Sequence, residues 1–150
     1  MESLVSLVNN KAAGVAIIHE EKVLLAKRCE TWQGKPASLG GYWSIFGGAL
    51  EEGENLMLCA VRELQEESGI QINISDLNYI KEIMGPRSCF VIYGCTLEKQ
   101  PNVVLNDEHT DFIWFSLDDI ENFPHKIKSD LVECLCLYRK RIRDLKKIFN

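Results

Sequence analysis

The sequence predicts a mixed α/β (α+β) sandwich, and three observations predict it. Short aliphatic and aromatic runs of strand length recur along the chain, separated by polar stretches and Gly/Pro turns. Residues 56–68 carry helical rather than alternating periodicity. The final segment repeats apolar side chains at alternating spacings of four and three. Many strands with few helices indicate a layered architecture, and 150 residues suit one domain with a single adequate core.

In chain order, residues 13–19 and 22–28 are aliphatic runs separated by Glu20-Glu21 and read as a hairpin. Residues 30–42 form a polar loop containing Gly34, Pro36, Gly40 and Gly41, and 42–46 reads as a short strand. The helix at 56–68 has Asn55 as N-cap, and Gly69 stands where a helix stops in a left-handed residue. Met57, Val61 and Leu64 form its buried side. Residues 77–84 and 89–97 are two further strands joined around Gly85-Pro86. After a polar stretch at 98–111, residues 112–115 form a strand, and 117–122 a short helix stopped before Pro124. The last helix runs from about 126 to 149. Its stripe of Leu131, Leu135, Tyr138, Ile142, Leu145 and Phe149 packs on its own domain or, alternatively, makes a homodimer contact. No internal repeat or domain boundary interrupts residues 1–150.

A net charge of −5 argues against generic nucleic-acid binding, and the six basic residues within 139–147 read as a solvated helix face. Cys29, Cys59, Cys89, Cys95, Cys134 and Cys136 show no C-x-x-C spacing and no paired histidine motif, which excludes a conventional zinc site. The opening ten residues lack the pattern of a secretory leader, and no apolar stretch approaches bilayer length. The expectation is a soluble, cytoplasmic protein with reduced thiols and no membrane partner.

Residues 48–70 read GALEEGENLMLCAVRELQEESGI. On the predicted helix Glu63, Glu66 and Glu67 lie at i, i+3 and i+4, on the face opposite the apolar side. Three converging carboxylates cost free energy unless a cation neutralises them. Mg²⁺ takes oxygen ligands and bridges carboxylates to substrate phosphates, so the spacing points to a magnesium-dependent phosphate site. A solvated acidic face is the alternative meaning of such a charge run.

The stretch resembles the Nudix box, G-x5-E-x7-R-E-U-x-E-E-x-G-U with U aliphatic. Gly48, Glu54, Arg62, Glu63, Leu64, Glu66, Glu67, Gly69 and Ile70 fill all nine specified positions. The resemblance extends over residues 12–122, through 14–19, 23–28, 43–48 and Glu108-His109 before Trp114-Phe115. One departure is Phe46-Gly47-Gly48 where many relatives have Pro-Gly-Gly.

The resemblance implies the Nudix fold, an α/β/α sandwich with a mixed sheet. It also implies a Mg²⁺-dependent (alternatively Mn²⁺-dependent) hydrolase. Its substrate would be a nucleoside diphosphate linked to another moiety, such as a nucleoside triphosphate, ADP-ribose or a nucleotide sugar. By the same resemblance Glu66 and Glu67 bind metal, Glu63 binds metal or acts as base, and Arg62 orients Glu63. The Gly47 carbonyl adds a ligand, Glu54 supports, and Glu108 supplies a further ligand or the base. The rival reading is a catalytically silent nucleotide-binding module. Such modules lose part of the acidic set, which this chain keeps.

Tyr42, Trp43, Phe46, Phe90 and Tyr93 are aromatic candidates for a nucleobase surface, though strand aromatics more often belong to a core. Arg28, Trp43 and Phe46 are put forward for substrate, and Trp32 and Lys35 border the polar loop. Pro86, sixteen positions after Ile70, matches a proline of an ADP-ribose-cleaving subgroup, but a turn explains it equally. His109 reads as structural or exposed rather than catalytic.

Overall fold

Strands β1 (Asn10–His19) and β2 (Lys22–Arg28) form the expected hairpin across Glu20-Glu21. They pair with each other only at its closed end, Ile18 opposite Val23 and His19 opposite Lys22. The computed structural model describes residues 10–149, so the reading of the N-terminal residues as leaderless falls, except for Asn10, outside the described part.

Beyond their shared end β1 and β2 diverge, and a later segment enters the wedge. The sequence marks 42–46 as one strand; the chain instead bends at Ile45 into two. β5 (Trp43–Ser44) pairs with β2, and β6 (Phe46–Ala49) pairs with β1. The divergence of their partners is the physical reason, since one straight strand could not follow both. On its other edge β1 runs parallel to β8 (Ser88–Thr96), which carries β7 (Asn78–Met84) antiparallel. β9 (His109–Ser116) lies antiparallel on β2. One parallel pair among antiparallel ones makes the sheet mixed, as the resemblance to the Nudix fold implies. Within the expected polar loop a separate small hairpin forms, β3 (Thr31–Trp32) with β4 (Lys35–Pro36), turned at Gln33-Gly34 with both residues at positive φ.

The alternation of side chains along the strands sorts the core into two layers. Ala13, Val15 and Ile17 of β1 and Leu24 and Ala26 of β2 pack on Cys59, Ala60 and Leu64 of α1 (Leu56–Ser68). Ala16, Ile18, Val23 and Leu25 pack on Leu131, Cys134, Leu135 and Tyr138 of α2 (Ser129–Phe149). The result is an α/β/α sandwich. α1 has the predicted ends: Asn55 Oδ1 accepts the Leu58 N–H at 2.9 Å, and Gly69 is left-handed with φ 75°.

α2 starts at Ser129, later than expected. The preceding backbone is held extended because Trp43 N–H donates to the Lys126 carbonyl at 2.8 Å and Trp43 bridges Ile127. Of the α2 stripe, Leu131, Leu135 and Tyr138 are buried, Ile142 is half-buried, and Leu145 and Phe149 are exposed. Residues 117–122 form a 3-10 helix, and a second short one occupies Ile74–Asp76. All six cysteines are unpaired, and among the described residues no helix is long and apolar enough to cross a membrane.

Candidate active site

Arg62 is the hub of the acidic face of α1. Its Nε and Nη2 donate to the two oxygens of Glu54 at 2.7 and 2.9 Å, a bidentate pair. Nη1 donates to Glu63 Oε1 at 2.9 Å and Glu66 Oε2 at 3.1 Å, while Nη2 also reaches the Ala49 carbonyl at 3.1 Å. The guanidinium therefore ties the box's loop to its helix and draws two helix carboxylates toward itself. Its hydrogen bonds hold the Glu54 carboxyl down at about 2.

Gly48 lies beneath Glu63. A Cβ built on Gly48 would sit 2.5–2.7 Å from the Glu63 carboxylate atoms, so the absent side chain is the seat of that carboxylate.

Glu67 turns inward, only 2% exposed, and its Oε1 accepts the Gly47 N–H at 3.0 Å. Burial raises its pKa far above the carboxylate range, reinforced by the neighbouring Glu63 carboxyl and then by Glu108, with the Gly47 N–H opposing.

The loop bearing Glu108 is laced to the end of α1. Val104 N–H donates to the Ser68 carbonyl at 2.9 Å and Asn106 N–H to that of Glu67 at 3.2 Å. The Glu108 carbonyl in turn accepts from Cys29 N–H at 2.9 Å, fixing the loop against β2. Asn106 Oδ1 accepts the Glu108 N–H at 3.1 Å and faces His109 Nδ1 at 3.3 Å. An oxygen that accepts at both contacts leaves the Nδ1 proton on His109 and its lone pair on Nε2. Donor atoms of Glu67, Glu108 and His109 lie within 4.8 Å of one another. His109 is 5% exposed, and its Nε2 has no hydrogen-bond partner among the described residues. Burial, and then the charge of Arg28, lower its pKa to about 4, so the ring is neutral.

The sequence-predicted residues thus fall into two groups. Glu63 and Glu66 are gathered by Arg62, whereas Glu67 and Glu108 meet at the inner end beside the Gly47 backbone. His109 joins the second group, which sequence reasoning did not foresee. Neighbouring residues on a strand face opposite ways, which would send His109 away from Glu108. Glu108 instead precedes β9 in a turn, so that parity does not apply. The run Asn106-Asp107-Glu108-His109, with its turn-forming Asn, was the available signal.

Two cavities flank the cluster and share Arg28. One, of about 270 Å³, is largely apolar, lined by Ile45, Gly47, Phe90 and Leu131 with Arg28 and Lys128 at its polar parts. The other, of about 540 Å³, is lined by Arg28, Trp32, Lys35 and Glu108. Ion pairs among the described residues engage Arg62, Arg139, Arg143 and Lys146 but not Arg28, Lys35 or Lys128. Trp43 stacks on His125 away from these cavities, at ring centroids 5.5 Å apart. Phe46 is 1% exposed and packs edge-on against the His109 ring within the α1 layer.

A fold with this helix and this cluster defines a class. Residues 8–136 match the NUDIX domain, and the chain belongs to the Nudix family. Among curated relatives, the NAD-capped RNA hydrolase NudC of Pseudomonas aeruginosa is 30% identical over 112 residues, 73% of this chain. The chain spans only 37% of that relative's length. Among solved structures, a MutT/nudix family protein from Enterococcus faecalis superposes with TM-score 0.74 at 16% identity, covering 90% of this chain and 62% of that one. A MutT NUDIX hydrolase from Burkholderia pseudomallei gives TM-score 0.68 at 25% identity, covering 85% and 96%.

Proposed function

We propose that this chain is a divalent-metal-dependent hydrolase, with Mg²⁺ or Mn²⁺ as the ion. It cuts the phosphoanhydride bond of a nucleoside diphosphate linked to a second group. The observation that carries the reading is the intact carboxylate set. Arg62 organises its outer members, while a buried Glu67 meets Glu108 and an unpartnered His109 nitrogen at its inner end. Oxygen donors with compensating charge to lose suit a hard divalent ion. Glu63, Glu66, Glu67, Glu108 and the Gly47 carbonyl are the residues we assign to hold it. Bound there, the ion would neutralise the diphosphate oxygens and acidify the attacking water.

The chain's own groups do the rest. Glu63, steadied by Arg62 and seated on Gly48, takes the proton from the attacking water; Glu108 is the alternative base. Arg28, unpaired with any described carboxylate and common to both cavities, binds the phosphates. The apolar cavity against Phe90 suits a nucleobase, and the cavity against Trp32 and Lys35 suits the second group. This favours substrates bulky at both ends, such as ADP-ribose or a dinucleotide, over triphosphates. Six unpaired thiols accord with a reducing compartment, and we place the protein in the cytoplasm.

The test is a panel of ADP-ribose, NAD⁺, ATP and AMP with Mg²⁺ in ¹⁸O-labelled water. We expect hydrolysis of the first three with label on a phosphate product, and none in chelator. Full turnover in chelator, label on a sugar, or inorganic phosphate from AMP would sink the reading.

A further inference from the structure

We infer that His109 is a metal ligand, and that its nitrogen makes the inner subsite favour a later first-row ion such as Zn²⁺ over Mg²⁺. The inference rests on the cation site proposed above and adds to it a nitrogen donor where the carboxylate spacing supplies only oxygen.

Three independent features of one side chain carry it. The ring is 95% buried by its 5% exposure, yet Nε2 meets no donor among the described residues. A buried polar atom without a partner costs roughly 1–3 kcal/mol, so a fold that keeps one has a use for it. Asn106 Oδ1 holds the proton on Nδ1 and is itself fixed by the Glu108 N–H, which orients the imidazole through the atom that does not ligate. Metal-bound histidines commonly have their second nitrogen fixed in this way. Finally, a ring nitrogen lies within 4.8 Å of carboxylate oxygens of both Glu67 and Glu108. Donors about 2.1 Å from one ion stand up to about 4.2 Å apart, so small side-chain adjustments bring the trio onto a common ion.

Phe46 packs edge-on against the ring at 5.1 Å between centroids and closes one side of it to water. Imidazole suits the later first-row ions such as Zn²⁺ and Fe²⁺, whereas Mg²⁺ prefers oxygen and water. Replacing one oxygen position by nitrogen therefore shifts selectivity without lowering the charge that the acids supply.

The experiment is pulsed EPR on the full chain loaded with Mn²⁺, with ¹⁴N modulation as the readout and ¹⁵N-histidine labelling as its control. We expect imidazole ¹⁴N coupling that converts to ¹⁵N on labelling, persists in His19→Gln and His125→Gln, and disappears in His109→Gln. In competition titrations His109→Gln should lose about tenfold or more of its preference for Zn²⁺ over Mg²⁺. Bound Mn²⁺ without histidine coupling in the wild type, or coupling traced to His19 or His125, overturns the inference and leaves the hydrolase reading intact. The labelled wild type decides the matter even where His109→Gln fails to fold. Coupling from His109 in a protein that hydrolyses nothing would instead uphold the ligand and remove the proposed activity. Failure to bind Mn²⁺ at all would remove both.

Discussion

The site's sharpest local constraint is a hydrogen atom where any other residue carries a Cβ. Gly48→Ala would place a methyl 2.5–2.7 Å from the Glu63 carboxylate, whose side-chain atoms are its nearest neighbours. The carboxylate must swing away while the backbone stays. We expect an unchanged circular dichroism spectrum and a kcat reduced by about 10²–10⁴-fold, the range of a displaced general base. An active Gly48→Ala protein would show that Glu63 needs no seat. Arg62→Ala acts differently, because it strips the shared cation from Glu54, Glu63 and Glu66. Activity should fall by orders of magnitude, and stability with it. The Glu54 carboxyl, held at about 2 by Arg62, contributes stability that is present above its ordinary pKa and is lost as pH falls toward 2. The Tm difference between wild type and Arg62→Ala should therefore narrow on acidification below about pH 4.5, which thermal melts across that range measure.

At the scale of elements, α1 is coupled to β6 by Arg62 to the Ala49 carbonyl, by the Cys59 thiol to the Gly48 carbonyl, and by Gly47 N–H to the one titrating partner, Glu67. Because burial raises the Glu67 pKa, the metal-free folded chain binds a proton that the unfolded chain has released. Stability must then fall as pH rises from the ordinary carboxylate range toward the folded pKa. At the proposed site a divalent ion would displace that proton, so its stabilising effect should grow over the same window. Melts at pH 6 and pH 9, with and without Mg²⁺, should show the larger Mg²⁺-induced Tm rise at pH 9. Glu67→Gln keeps an acceptor for Gly47 and removes the titration, which should flatten the profile and abolish most of the Mg²⁺ shift.

Helix α1 was legible to the residue from the sequence because its signals are local: Asn55, Gly69 and the 3.6-residue period. The three glutamates' common face was legible for the same reason. What brings Glu67 to Gly47 is not local. It depends on β6 entering the wedge between β1 and β2, a pairing across more than thirty residues that no spacing announces. The placement of His109 was hidden likewise, since the loop to α1 is tied by backbone bonds rather than by side-chain pattern.

Over the whole molecule, the mixed sheet brings the loop after β2 and the start of β8 each to a cavity that shares Arg28. Trp32, 37% exposed on the β3–β4 hairpin, belongs to one; Phe90 of β8 belongs to the other. Substrates bulky at both ends should engage both, while a triphosphate offers only one nucleoside end. Aromatic stacking contributes roughly 1–3 kcal/mol per base, hence about five- to more than a hundredfold in KM. Trp32→Ala should therefore raise KM for NAD⁺, whose second end is a nicotinamide ring, by about tenfold, and for ADP-ribose by less, with kcat for ATP and its KM little changed. Phe90→Leu, which keeps the apolar lining but removes the ring, should raise KM for all three. The contrast separates the two ends of the substrate and is read from steady-state kinetics on the two variants. Equal effects of Trp32→Ala on ATP and NAD⁺ would mean that the cavity beside Glu108 recognises nothing beyond the phosphates, and the preference for two-ended substrates would then be withdrawn.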